Sequence, residues 1–299
     1  MHKGVVSRLT AVVTLAQGLL AVPAAAAPGT GNATYFAGLG SPYGGCGLPQ
    51  AALDSQNFVA LNEFDTPVDH GWHQRPIPAS MSNIIDSFDN GHDCGRYVQV
   101  TIGDYCTGTN DDASGQPFCR NGSWVSDKYD GATLTMLDSC ADSNAWCRDD
   151  PNNLDLAQNS LNLFAKAGQP VGDLRPNHWS NRHISWQFVP APGYAGDIRV
   201  GFVQSAQPYR PVVAISHLPN GIHGVQYYSN GAWHAAPMDS DMGQDHQIAP
   251  TSTSQGTQYQ IRAIDASDAT LGRAYQFSLP PSCADGCGLA YTAVPYTTS

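Results

Sequence analysis

Asp138 and Asp155 are the residues of this chain whose type and placement best suit chemistry. Asp138 ends a mostly apolar, β-branched run, Thr133 to Leu137, that reads as a strand. Asp155 follows Pro151, Asn152 and Asn153 and opens a short helical pattern with Leu156, Leu161, Phe164 and Ala165 as its apolar face. A loop bounded by Cys140 and Cys147 joins the two aspartates. Two carboxyl groups at the rim of one β-unit suit acid–base work on a glycosidic bond if they face each other at roughly 5 to 9.5 Å. Each also has a simpler role open to it. Asp155 before an apolar helical run is a helix N-cap, and Asp138 at a strand end is an acceptor for a turn amide.

The elements that must hold these residues are strands. Short runs rich in Val, Thr, Tyr and Ile, separated by Gly, Asn, Asp and Pro, recur along the chain, and helical patterns are few. The expected class is therefore all-β. Residues 1–27 have a basic start (Lys3, Arg8), an apolar run and small residues at the end, so they read as an export signal and the product as secreted, extracellular and not membrane-anchored. A first domain spans 28–170, a Pro/Gly/Asn-rich linker 171–182, a β-sandwich 183–281, and a small disulfide-closed tail 282–299 that is mobile at its end. The sandwich strands begin with Ile184–Val189 and continue through Ala274–Leu279, with Trp186 and Trp233 in its core. The eight cysteines, Cys46, Cys94, Cys106, Cys119, Cys140, Cys147, Cys283 and Cys287, read in an oxidising compartment as four disulfides. Cys140–Cys147 and Cys283–Cys287 are the local closures, and the other pairings stay open. No paired C-x-x-C spacing is present, so neither zinc nor any other metal or cofactor is expected. A formal charge of −11 repels phosphate backbones and acidic polymers, which disfavours nucleic acid and leaves neutral polysaccharide compatible.

The order of several short motifs resembles the expansin family. Ala33-Thr-Tyr-Phe36, the glycines around Cys46, Val59-Ala-Leu-Asn62, Cys94-Gly95, Leu137-Asp-Ser-Cys140 and Leu154-Asp-Leu156 follow one another as in an expansin first domain. Ile184 to Val189, Gly196 to Val200, Gln207-Pro-Tyr209, Val225 to Tyr228 and Gly231-Ala-Trp233 are similar to its second domain. The resemblance implies a six-stranded double-psi β-barrel followed by an immunoglobulin-like, carbohydrate-binding β-sandwich. It implies a monomeric wall-loosening protein that binds cellulose or a related glucan, with peptidoglycan and chitin as the other wall polymers. Position by position, it implies that Asp155 and Asp138 are catalytic-like residues used for polysaccharide binding, and that Thr34, Tyr35 and Tyr209 contact substrate.

The departures are specific. The family's His-Phe-Asp is Asn153-Leu154-Asp155, and Cys140 stands where many bacterial relatives carry tyrosine. Tyr209 has Pro208 and Arg210 beside it rather than a second aromatic. In related family 45 endoglucanases an acid follows the first-strand tyrosine; here Tyr35 is followed by Phe36 and Ala37. The expectation is thus binding and loosening without hydrolysis. The alternatives are a weak glycoside hydrolase or lytic transglycosylase using Asp155 as acid, and a barwin-like inhibitor or elicitor acting through the polar insertion Glu63 to Ile84, which carries His70, Trp72 and His73.

Overall fold

The computed structural model describes residues 29–37, 46, 57–109, 115–140, 145–170, 174, 182–193, 198–203, 206–218, 221–238, 245–248, 257–288 and 291–299, with the side chains of 135–138 and 170 left aside. Its regular elements are nearly all strands. The first half contains β1 (Gly29–Phe36), β2 (Phe58–Asn62), β3 (Tyr97–Cys106), β4 (Trp124–Val125), β5 (Tyr129–Cys140), β6 (Leu154–Ala157), β7 (Ala165–Lys166), β8 (Gln169–Pro170) and β9 (Arg182–Val189). Six of them pair in a ring, β3–β9–β1–β6–β2–β5 and back to β3, while β4, β7 and β8 are short additions. The β1–β6 and β2–β5 pairs are parallel and the other four antiparallel. Alternation along β3 shows why the ring closes: Val98, Val100 and Ile102 are fully buried, and they meet Leu134, Leu154 and Leu156 inside it.

β9 corrects the expected domain division. It is a strand at the expected residues, yet it pairs with β3 and β1, so its ladder belongs to the first sheet and not to the sandwich. Trp186 accordingly fills the first core, with its indole N–H donating to the carbonyl of Asn152 at 3.0 Å. Alternating apolar residues specify a half-buried strand but not the sheet that receives it. Most of the expected linker lies outside the described residues, and Leu174 within it is buried in the first core.

The second half has β10 (Arg199–Phe202), β11 (Val212–Ser216), β12 (Ile222–Ser229), β13 (Ala232–Ala236), β14 (Asp245–Gln247), β15 (Gln258–Asp265), β16 (Tyr275–Ser278), β17 (Thr292–Ala293) and β18 (Thr297–Thr298). They form a four-stranded sheet, β14-β11-β10-β17, and a five-stranded sheet, β13-β12-β15-β16-β18. Phe202, Ile215, Ile261 and Phe277 from the two sheets share one core. The tail is better integrated than its sequence suggests. β17 adds to β10, β18 adds to β16, and Val294 between them is buried. Trp233 is also corrected. It stands half-exposed on β13, against Tyr228 and beneath the guanidinium of Arg262, rather than in the core.

Four disulfides join Cys46–Cys94, Cys106–Cys119, Cys140–Cys147 and Cys283–Cys287, the last two being the expected local closures. The two halves touch where the rings of His92 and His223 lie 5.4 Å apart and Arg96 packs against Gly221. A β-carbon at Gly221 would fall 2.1 Å from Cγ of Arg96, and its φ of +92° is a conformation that glycine alone adopts freely.

Two buried ionic features of the first half lend themselves to measurement. Arg182, 0% exposed, donates to the carbonyls of Gly103 and Asp127 and to the Asp127 carboxylate at 3.2 Å. Removing one partner of a buried pair strands the other. Arg182→Met is expected to lower the unfolding free energy by about 3 kcal/mol in a urea titration; a loss below about 1 kcal/mol would contradict this burial.

Asp86 accepts hydrogen bonds from the Ser87 amide and from Nδ2 of Asn62. Burial outweighs these bonds, and with the charge of Asp65 it pushes the carboxyl from 3.8 up to about 7. The native state therefore holds this proton more tightly than the unfolded chain. Its stabilisation is complete below the unfolded value and is lost as pH rises through about 7. Asp86→Asn should melt higher than the parent at pH 8 and show a flatter decline of Tm between pH 4 and 8. Equal slopes in the two proteins would refute the assignment.

Candidate functional site

Strand register assembles the site. In the parallel pair β1–β6, Thr34 lies opposite Asp155; across β6–β2, Asp155 lies opposite Ala60; across β2–β5, Ala60 lies opposite Asp138. One row across four strands thus holds three of the residues singled out from sequence. The hydroxyl of Thr34 donates to Oδ1 of Asp155 at 2.8 Å. Asp138 is placed in this row by its backbone, and its side chain lies outside the described residues. Leu154 and Leu156, on either side of Asp155, face the first core, so Asp155 and Thr34 occupy the ring's outer face.

Asp155 is not a helix cap. It lies inside β6, and the 3₁₀ turn that follows, Gln158–Leu163, has Ala157 at its N-cap with no side-chain cap bond. Leu156, Leu161 and Phe164 are buried as expected, but from a strand, a turn and a loop rather than one helix face. Tyr35 follows Thr34 on β1 and is 41% exposed. Tyr209 sits at the tip of a tight turn in the second half, where Gln207 and Arg210 exchange backbone hydrogen bonds, and it is 66% exposed. The structure therefore brings Thr34 and Asp155 together and adds Asp138 by register.

A disulfide backs the row. Sγ of Cys140 lies 3.8 Å from Oδ2 of Asp155. Bonded to Cys147, that sulfur has no proton to give, so the contact is one of packing. Ala60, Cys140 and Cys147 form a small apolar cluster covered by Phe36. Asp150 ties the neighbouring tier. Its carboxylate accepts from both the main-chain and side-chain nitrogens of Asn32 and from the Asn152 amide, and its carbonyl accepts from Nδ2 of Asn62. Asn153 is fully buried and offers nothing to a ligand.

Sequence reading underrated the run Arg148-Asp149-Asp150. Arg148 is 1% exposed; its Nη1 donates to the carbonyls of Asp69 and Gly71, and its guanidinium lies over Phe64. Asp149 accepts from the amides of Val68 and Gly115 and pairs with Nε2 of His70 at 3.1 Å. Burial alone would raise the Asp149 carboxyl, but the Val68, His70 and Gly115 bonds outweigh it and hold it below the ordinary value. These contacts fix the loop from Thr66 to His73, which presents Trp72 with 82% of its surface exposed. The readable signal was three consecutive charges directly after a cysteine, since charges carried inward must find partners. Trp124, by contrast, is no free platform, because it stacks on His183 at 3.5 Å.

The Thr34 hydroxyl already donates to Oδ1 of Asp155, so towards a ligand this pair presents oxygen acceptors. The carboxylate of Asp150 is already taken up by three N–H donors. Among the described residues, no group of three or more His, Cys, Asp or Glu side chains is arranged to hold a metal ion.

No family model and no curated protein matches this sequence. Two crystal structures of an expansin from Clavibacter michiganensis share its fold. One, an Asp-to-Asn variant in complex with cellohexaose, is 13% identical with a TM-score of 0.52; the other, the apo protein, is 14% identical with a TM-score of 0.53. In both cases 89% of this chain and 95% of the other are covered, so the likeness spans both halves. The chain has the two-part, all-β fold of a bacterial expansin.

Proposed function

We propose that this protein is a secreted, expansin-like protein that binds a neutral, cellulose-like wall polysaccharide through the outer face of its ring and loosens the polymer without cleaving it. The observation that carries the reading is the Thr34–Asp155 hydrogen bond at 2.8 Å, set in a row of adjacent strands. With the Thr34 proton given to Asp155, the carboxyl and hydroxyl oxygens accept from sugar hydroxyls. The braced, exposed indole of Trp72 adds a ring for stacking on sugar faces. Support also comes from the solved relative of the same fold, which was crystallised with cellohexaose. An acidic chain of formal charge −11 discriminates against anionic polymers. Loosening would follow from differential binding: this face would hold a displaced glucan chain better than a packed one, and the equilibrium would shift accordingly.

Retention on microcrystalline cellulose and extension of wall strips under load test the proposal. Trp72→Ala should weaken retention about three- to tenfold, the worth of one aromatic contact. Asp155→Asn should abolish extension while the protein stays folded. Neither the parent nor the variant should release reducing ends. If the parent releases reducing ends or anhydro-sugars, and these vanish in Asp155→Asn, the protein is an enzyme and the proposal is wrong.

A further inference from the structure

The second half contains a groove of about 940 Å³ that the reading above does not use. It lies where β15 and β16 of the five-stranded sheet meet the C-terminal segment, with Ala293 of β17 also lining it, and Tyr209 on the β10–β11 turn is not among its lining residues. Gln258 and Gln260 on β15 and Gln276 on β16 line its floor, with Gln260 directly opposite Gln276. Tyr228 on β12 flanks them. Among the described residues, no hydrogen bond within the chain occupies the side-chain amides of these three glutamines. Two aromatic walls are held rigid. Tyr296 donates its hydroxyl to the Ile198 carbonyl and packs edge-on against Tyr275, and Tyr228 packs edge-on against Trp233.

Charge narrows the choice of occupant. None of the residues lining the groove carries a formal charge, although the chain holds 14 basic and 25 acidic residues. A phosphorylated or carboxylated ligand would find no counter-charge there. Amides that each offer donors and an acceptor, set between fixed phenol rings, match a neutral, polyhydroxylated chain, which presents hydroxyls along its edges and C–H faces to aromatic rings. The volume is within the range of sites that enclose a small ligand, and the open side admits a polymer.

We infer that this groove is a second glycan-binding site, taking a single soluble neutral glucan chain. The inference rests on the proposed function only for the class of ligand; the location and residues are independent of Asp155.

Titration calorimetry of the full chain with cellohexaose tests it, alongside two variants, Gln260→Ala/Gln276→Ala and Thr34→Val/Asp155→Ala. The expected result is two binding events per parent chain. The glutamine double variant loses one of them, by about tenfold or more in affinity, and the Thr34/Asp155 double variant keeps that same event. A parent-like isotherm from the glutamine variant overturns the inference, as does loss of all binding in the Thr34/Asp155 variant alone. If instead the glutamine variant alone abolishes all binding, the groove stands and the Asp155 reading falls. In the folded parent, side-chain amide NMR signals of Gln260 and Gln276 should shift with cellohexaose. A shift with decaproline but not with cellohexaose would make the groove a peptide site and refute the assignment.

Discussion

The register of β1 against β6 is the constraint from which the candidate site follows. Parallel pairing sets Ala33 opposite Leu154 and Thr34 opposite Asp155, and the buried leucines decide it. A slip of one residue would turn Leu154 and Leu156 to the outer face and send Asp155 into the core. An unpaired carboxylate in an apolar interior is far costlier than any hydrogen bond gained outside. The polar pair on the surface is thus positioned by the apolar residues between which it sits. The same holds one strand further on, where Val59 and Leu61 face the core and Ala60 lies opposite Asp155 on the other side.

Short strands leave much surface to loops, and this chain stiffens them with buried charge rather than apolar packing. Arg148 is nearly inaccessible, yet it spends hydrogen-bond donors on two carbonyls of the Trp72 loop. Asp149 collects amides from two loops, and Asp150 links β1, β2 and the turn after Cys147. Such ion–backbone contacts are stronger than neutral ones when shielded from water. They suit a surface that must present an aromatic ring at a set angle, because a ring on a free loop loses conformational entropy when it stacks. The Cys140–Cys147 bridge joins the two systems, with one cysteine ending β5 beside Asp155 and the other lying next to Arg148.

Much of this was legible in the residues. The all-β class, most strand positions and two disulfides were readable from alternation and cysteine spacing, and motif order, through the resemblance it carries, named both Thr34 and Asp155, which the structure joins by a hydrogen bond. What sequence could not tell was long-range partnership. Arg182 to Val189 is apolar on alternate residues whichever sheet receives it, and it joined the first. Leu156, Leu161 and Phe164 fit a helical spacing, yet the helix needs an uninterrupted run of turns. The chain instead uses four residues of Leu154–Ala157 to complete the ring before it turns. Pairing a strand between two others satisfies backbone groups on both sides, which a marginal short helix cannot match. Trp233 failed in the opposite sense. A tryptophan on a strand is as content beneath an arginine on the outer face as in a core.

The distribution of charge connects the two proposed binding faces. The acidic residues that give the chain its sign are largely committed where the structure describes them. Asp127 pairs with Arg182, Asp93 with Arg96, Glu63 with Arg75, and Asp149 and Asp150 with backbone amides. The glutamine groove carries no charge at all, and Asp155 has its hydroxyl partner in Thr34. Recognition at either place then depends on matching hydroxyls and ring faces, while the surrounding negative field keeps anionic polymers at a distance. A neutral glycan crosses that field without penalty, so under the proposed function the same charges that brace the loops would also set which polymer reaches the two faces.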